Sequence, residues 1–359
     1  MSTEKNRRKP EKTTETGFTQ RISKEYYNLT AAEKKAADYV IAHRAEAQNL
    51  SITELAAASE VAEATISRFV RRLKYKGYNE FRLDIARSVT ASASGLSPLS
   101  GEVADGDSFV GDICGVPGLQ FLENHLKDFK KAHDIAFAVV NGENANVVGI
   151  TPKQAEQIFR AGADAITLGN HTWIRTELQP YLETEQRILR PINYAPQCPG
   201  RGIAVFPTEH GDICVLNLLG RFTLDNNTDN PFPIADGYMA EIREKIILVD
   251  FHAEGTSEKR AMGYLLDGKA SAVWGTHTHV QTSDACVLPK GTGYITDLGM
   301  TGSVHSVLGV DPTQSIEKFM GNPPRRYDSG KGPAKMEGCI FTVDSETGRC
   351  QSAEAVRLL

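Results

Sequence analysis

Residues 246–259 read IILVDFHAEGTSEK, and residues 272–279 read AVWGTHTH. Each is a short, mostly apolar run that ends abruptly in polar groups: His252 and Glu254 in the first, Thr276, His277, Thr278 and His279 in the second. A short apolar run without polar alternation reads as a strand covered on both faces, as in a largely parallel sheet. Working outward, the pattern recurs. Phe109-Val110 leads to Gly111-Asp112, Ile135 to Val140 leads to Asn141-Gly142-Glu143-Asn144, and Ala165 to Leu168 leads to Gly169-Asn170-His171. Amphipathic stretches of helical period separate the runs, so an α/β domain is expected from about Asp107 onward.

In α/β sheets the binding crevice lies at the carboxyl ends of the strands, so these five polar ends can converge although they span ~170 residues. Imidazole, carboxylate and amide oxygen, with no cysteine among them, suit Fe, Mn or Zn and argue against a purely structural zinc site. Each of these residues alone reads as an ordinary hydrogen-bonded polar group. Together they point to a metal centre.

The chain has 359 residues, 40% apolar and 24% charged, which fits roughly two globular domains and excludes a disordered or collagen-like polymer. No apolar run reaches the ~18 residues of a membrane span, and the basic start, Lys5 to Lys12, is followed by Thr and Glu. No membrane contact and no signal peptide are expected. Six scattered cysteines without a C-x-x-C pair predict thiols in a reducing cytoplasm rather than a disulfide framework. The net charge of −5 is uneven: residues 1–92 carry 17 Lys and Arg against 12 Asp and Glu, the remainder 23 against 33. A basic first module and an acidic second one are expected, any polyanion meeting the first. Residues 1–28 read as a mobile tail, 29–90 as the first domain, 91–107 as a Ser/Gly/Ala-rich linker, and 108–359 as the second domain.

Three helices are predicted between Leu29 and Arg87. Thr30 with Glu33, and Ser51 with Glu54, form capping-box signatures ahead of the stripes Ala36, Ala37, Val40, Ile41 and Ile52, Leu55, Ala56. After a Ser59-Glu60-Val61 turn, a third helix from Ala62 to Leu73 would turn Ile66, Phe69, Val70 and Leu73 inward. Thr65, Ser67, Arg68, Arg71 and Arg72, followed by Lys74, would face outward, suited to a major groove with flanking phosphate contacts. The alternative is a solvated basic face on a small helical bundle. The stretch SITELAAASEVAEATISRFVRRLKYKGYNEFR, residues 51–82, resembles the DNA-binding domain of RpiR-type transcription regulators, which implies DNA binding through a winged-helix-like unit and a homo-oligomer to complete the site.

In the second module GDICGVPG, VVNGENA, ITLGNHTW, LVDFHAEGTSEK, WGTHTHVQTSD, LPKGTGYITDLGMTG and VLGVDP resemble the YmdB-type branch of the calcineurin-like metallophosphoesterases. The resemblance implies a sandwich of two β-sheets flanked by helices and a di-metal 2′,3′-cyclic-nucleotide 2′-phosphodiesterase. It implies that Asp112, Glu143, Asn144 and His279 hold one divalent ion and Glu143, Asn170, His252 and His277 the other, with Fe or Mn favoured over Zn. A metal-activated hydroxide would attack the phosphodiester, breaking the 2′ bond and leaving a 3′-nucleotide. His171 is the expected general acid or phosphate-orienting residue, with a purely supporting hydrogen-bonding role as the alternative. Thr276, Thr278, Glu254, Ser257, Arg221 and Asp297 lie in strand-end loops as supporting or substrate-contacting candidates, and Trp173 as a base-stacking or core residue. Family members carry several apolar residues before the Gly-Asp; here Gly106 to Val110 has two large ones, so a short or frayed first strand and a weakened site at Asp112 are expected. The second functional reading is a transcription regulator that uses the phosphoesterase fold as a nucleotide sensor.

Overall fold

The computed structural model describes residues 21–22, 25, 29–93, 106–224, 227–323 and 325–359. The chain divides into two compact units, Met1–Gly101 and Glu102–Leu359.

The first unit is helical, with helices Ala31–Ala42, Arg44–Ala47, Ile52–Ala58, Glu63–Arg72 and Tyr78–Ala93. Both capping boxes form: the Thr30 hydroxyl accepts from Glu33 N and Ser51 from Glu54 N, while each glutamate accepts from its cap residue's backbone N–H. Glu60 enters the left-handed region at φ 53° and closes the turn between the third and fourth helices. Leu55, Ile66, Phe69, Val70, Leu73 and Phe81 are buried together, with Phe69 edge-on to Phe81 at 5.7 Å.

Four expectations change here. The described residues hold the five helices named above, with Arg21, Ile22 and Glu25 also helical, rather than three helices, and where a wing would follow there is the helix Tyr78–Ala93, whose Phe81 and Ile85 complete the core. Thr65 is buried, since it stands four residues before Phe69 on the same stripe. Within the expected tail, Ile22 is fully buried in this core and the Arg21 guanidinium lies 4.4 Å above the Tyr75 ring. The predicted linker is helical to Ala93 and already strand at Gly106. Its middle, 94–105, and the tail from 1 to 20, lie outside the described residues.

The second unit contains strands β1 Gly106–Val110, β2 Asp112–Ile113, β3 Ile135–Asn141, β4 Ala165–Thr167, β5 Ile188–Leu189, β6 Ile203–Thr208, β7 Gly211–Leu219, β8 Ile246–His252, β9 Ala272–Thr276, β10 Cys286–Val287, β11 Gly293–Ile295, β12 Met300–Ser303, β13 Ala334–Val343 and β14 Cys350–Leu358. One sheet runs β2-β12-β13-β1-β3-β4-β5 with β14 beside β13; the other runs β10-β11-β9-β8-β7-β6. Phe137, Val139, Trp274, Ile295 and Phe341 fill the space between the sheets. Helices Gly115–Ala132 and Pro152–Ala161 cover the outer face of the first sheet, and Pro231–Glu241 and Thr256–Leu266 that of the second. The result is the expected two-sheet sandwich with helices outside.

Parallel pairing runs through β1-β3-β4-β5 and through β7-β8-β9-β11, so the carboxyl ends of these strands share an edge. The first strand is not frayed. β1 spans five residues and is bonded on both sides, antiparallel to β13 and parallel to β3, with a register shift only at Gly106/Asp107. Two ladders of backbone hydrogen bonds hold a central strand that few large side chains mark in the sequence. Among the described residues no helix is long and apolar enough to cross a membrane.

Candidate metal centre

The strand register decides which polar residues meet. His252 pairs with Thr276 across β8 and β9, and Asn141 with Thr167 across β3 and β4, so the residues just beyond these positions emerge at one depth. Gly169 lets the chain after β4 pass tightly over the cluster: a Cβ there would sit 2.4 Å from His252 Cδ2 and 2.5 Å from Glu143 Oε2.

His252 is the hub of the site and is wholly buried. Its Nδ1 lies 2.9 Å from Thr276 Oγ1, and that hydroxyl reaches Asp250 Oδ1 at 2.8 Å. The threonine donates to the carboxylate, so it accepts from His252 Nδ1, which leaves Nε2 as a lone pair in the neutral ring. That Nε2 faces Asn170 Oδ1 at 2.9 Å, Glu143 Oε1 at 3.0 Å and His277 Nδ1 at 3.1 Å. Four acceptor atoms converge with no hydrogen between them, which a cation relieves. The ligand atoms of Glu143, His252 and His277 all lie within 4.8 Å of one another. Protonation preferences agree at Glu143 and His277, whereas at His252 the surrounding carboxylates favour a positive charge in the place a cation would take. Burial opposes charge on His252, yet the Glu143 carboxylate beside it, with Asp112, holds the imidazole above its ordinary range. Burial likewise opposes charge on Glu143, but His252 and then His171 hold its carboxyl down to about 2. His277 is pushed down to about 3 by burial and by His252, keeping its ring neutral and able to act as a ligand.

The second group is looser. Asp112 is wholly buried; its Oδ2 accepts from His277 N at 3.0 Å, while its Oδ1 has no hydrogen-bond partner among the described residues and lies 3.8 Å from His279 Nε2. Asn144 Nδ2 lies 3.2 Å from His279 Nε2 and 3.2 Å from Glu143 Oε1, so Glu143 touches both groups. An orphaned buried carboxylate oxygen beside an imidazole is an acceptor pair that fits a second cation. His279 is held from behind, its Nδ1 lying 2.9 Å from the Leu308 carbonyl and 3.3 Å from Cys114 Sγ.

His277 and His279 both adopt positive φ, 106° and 63°. Non-glycine residues hold such conformations only where their surroundings over-determine them. Between them, Thr278 gives its N–H and its hydroxyl to Asp297 Oδ2 at 3.1 and 2.8 Å, and that oxygen also pairs with Lys259 Nζ at 2.7 Å. Both partners of this ion pair are 1% exposed. Asp297 and Thr278 thus anchor the loop from below.

His171 lines the cavity mouth, its Nδ1 2.9 Å from Asn144 Oδ1 and 3.6 Å from Glu143 Oε1, and its backbone N–H donates to Glu143 Oε2 at 3.0 Å. The cavity beside it measures about 450 Å³ and includes Asn144, His277 and His279. Of the weaker candidates, Glu254 reaches His277 Nε2 at 3.1 Å, whereas Trp173 packs edge-on to Tyr194 at 5.3 Å against the core. Arg221 gives its backbone N–H to Glu258, and Ser257 lies exposed in the first turn of the helix Thr256–Leu266. Sequence reasoning missed Asp250, and it named Asn141 at its strand end without giving it a role. Both are buried in apolar-looking strands, where only a polar residue inside a buried run signals them. Burial pushes the Asp250 carboxyl up to about 6, even though the Thr167 hydroxyl, His252 and Thr276 act to lower it.

In the first unit Arg68, Arg71 and Lys74 are exposed and Ser67 is half-buried, while Arg72 pairs through Nε with the buried Glu33 at 3.3 Å. The third predicted helix therefore presents a basic face from which Thr65 is withdrawn.

Comparison with known proteins follows the same division. Residues 108–356 match the family model of YmdB-like proteins, and residues 16–92 that of the rpiR-family helix-turn-helix domain. A 2′,3′-cyclic-nucleotide 2′-phosphodiesterase of Bacillus subtilis is 41% identical over 251 residues, 69% of this chain and 95% of that protein. The crystal structure of a phosphatase from Mycoplasma pneumoniae superposes with a TM-score of 0.68 at 34% identity, covering 72% of this chain and 94% of that one. The regulator HexR of Pseudomonas aeruginosa is 35% identical over 79 residues, 22% of this chain and 27% of that protein. With its strand-end acceptor cluster and this match over most of its length, the chain belongs to the family of YmdB-like phosphoesterases, here bearing an rpiR-family helix-turn-helix domain on its N-terminal side.

Proposed function

We propose that the second unit is a metal-dependent phosphodiesterase that opens 2′,3′-cyclic nucleotides at the 2′ bond and releases 3′-nucleotides. The observation that carries this reading is the convergence of Glu143 Oε1, Asn170 Oδ1 and His277 Nδ1 on His252 Nε2, beside His171 at one cavity. Glu143, Asn170, His252 and His277 would hold one divalent ion and Asp112, Glu143, Asn144 and His279 a second, with Fe or Mn suiting this imidazole and carboxylate set best. Bound ions neutralise phosphate charge and make water nucleophilic near neutral pH. The chain's own residues do the rest. Thr276 and Asp250 fix the His252 tautomer, and Asp297 holds His277 and His279 at their strained angles. His171, anchored through Nδ1 to Asn144, delivers a proton from Nε2 to the 2′ oxygen as its bond to phosphorus breaks.

The test is hydrolysis of 2′,3′-cyclic AMP by the full chain with and without Mn²⁺, with the product identified as the 2′- or 3′-phosphate and the metals counted per chain. Metal-dependent formation of 3′-AMP that falls ~10²–10⁴-fold in His171→Ala, at unchanged metal content, supports the reading. Metal-loaded protein that leaves the diester intact overturns it.

A second function is favoured by the exposed Arg68, Arg71 and Lys74, with the half-buried Ser67 beside them, on the rpiR-type domain: DNA binding by residues 29–90, completed by a homodimer on half-sites about one helical turn apart. In the sensor form of this reading, nucleotide at the metal centre alters that binding. Operator affinity unchanged by 2′,3′-cyclic AMP would sink the sensor form, and a monomeric chain the dimer.

A further inference from the structure

The cavity at the metal centre has a mixed lining. It includes polar groups from the metal centre, Asn144, His171, Glu254, His277 and His279, and an apolar wall of Val307, Leu308, Val310, Phe319 and Tyr327. Its volume of about 450 Å³ falls within the ~300–1,000 Å³ of small-molecule sites. The apolar wall is a constructed feature rather than a stray loop. Leu308 holds φ 54°, Ser306 Oγ accepts from Gly309 N at 3.0 Å, and Val307 and Val310 bridge each other across the turn. Gln314, on the helix Pro312–Phe319, is tied to Asp328 at 2.8 and 2.7 Å, which fixes the segment bearing Tyr327 against the helix bearing Phe319. The wall is also registered to the metal centre directly, because the Leu308 carbonyl is the group that orients His279 Nδ1 at 2.9 Å.

This wall nevertheless leaves large apolar groups facing water: Phe319 is 85% exposed and Leu308 48%. A ring left open on the rim of a cavity whose far end binds phosphate matches a ligand with a charged end and a flat apolar end. We propose that this wall is the heterocycle subsite of the phosphodiesterase, with the nucleobase stacking on Phe319 and Tyr327 while the cyclic phosphate lies at the polar groups of the metal centre. The proposal rests on the phosphodiesterase reading above. Lys318 Nζ stands over the Tyr327 ring, 5.5 Å from its centroid, and so brings a cation to this wall that a purine's ring acceptors can meet. The subsite would therefore take purine nucleotides in preference to a cyclic phosphate without a base.

The test uses the full chain, its Phe319→Ala variant and a Phe319→Tyr variant on two substrates, 2′,3′-cyclic AMP and a ribose 2,3-cyclic phosphate without a base. Because base-aromatic stacking is strong enough for such an effect, KM for 2′,3′-cyclic AMP is expected to rise about tenfold in Phe319→Ala and to return in Phe319→Tyr. kcat and the KM for the base-free substrate should stay within about twofold. An unchanged KM for 2′,3′-cyclic AMP, or equal rises for both substrates, overturns the subsite. Should the wild-type chain cleave neither substrate, the phosphodiesterase reading falls first. Calorimetric titration with adenosine 3′-phosphate in the presence of Mn²⁺ then decides the subsite, a tenfold weaker affinity in Phe319→Ala supporting it and equal affinities refuting it.

Discussion

Removing Asp297 should damage this protein twice, once in stability and once in metal retention. Its ion pair with Lys259 is 2.7 Å long and 1% exposed at both ends, and the same carboxylate accepts from Thr278 N, Thr278 Oγ1 and Gly299 N. Breaking a buried pair by deleting one partner costs about 3–5 kcal/mol, since the remaining ammonium stays buried without a counter-charge. For a unit of this size that is roughly 6–20 °C in the melting temperature. The lost hydrogen bonds also free Thr278, so the positive φ of His277 and His279 is no longer enforced and their ring nitrogens drift from the acceptor cluster. Differential scanning calorimetry of the full chain, with Mn²⁺ titrated into wild type and Asp297→Ala, reads both effects. Lys259→Met combined with Asp297→Ala should regain part of the melting temperature without restoring Mn²⁺ affinity, because it removes the orphaned charge but leaves the loop without its acceptor. An Asp297→Ala protein that melts within 2 °C of wild type and binds Mn²⁺ equally well would refute the reasoning.

Thr276→Val keeps shape but removes the hydroxyl between Asp250 and His252 Nδ1; metal affinity should fall ~10–100-fold, read by competition with a chelator. Gly169→Ala places a methyl 2.4 Å from His252 Cδ2, and metal content after gel filtration should collapse. In the first unit, Thr30→Ala and Ser51→Ala should each cost about 1 kcal/mol in denaturant unfolding through loss of a cap. Arg71→Ala should lower the salt dependence of DNA binding by about one phosphate contact, whereas Thr65→Ser should shift the denaturation midpoint and leave that slope alone, because Thr65 is buried.

Much of this architecture is legible in short-range patterns. The capping boxes at Thr30 and Ser51 fall where Ser or Thr precedes Glu by three residues, and the structure forms both. The strands that end at or before Asn141, His252 and His277 announce themselves as apolar runs, and the structure brings the polar residues at their ends together. Two kinds of feature escape such reading. Thr65 looks polar and outward until the helix is packed, and β1 looks too poor in large apolar side chains to be central until β13 and β3 supply its hydrogen bonds. The helix Tyr78–Ala93 is hidden because its core-packed Tyr78, Phe81 and Ile85 stand among many polar residues.

The sequence by itself determined the α/β class, the helical reading head and the chemical types at the metal centre, because periodicity, caps and strand-end residues are local properties of the chain. Only the tertiary structure decided which acceptors meet at His252 Nε2, that Asp112 keeps an oxygen without a hydrogen-bond partner among the described residues, and that Lys259 and Asp297 lock the loop bearing His277 and His279. Those facts depend on the register between strands far apart in sequence, where a shift of one residue turns every side chain to the opposite face of the sheet.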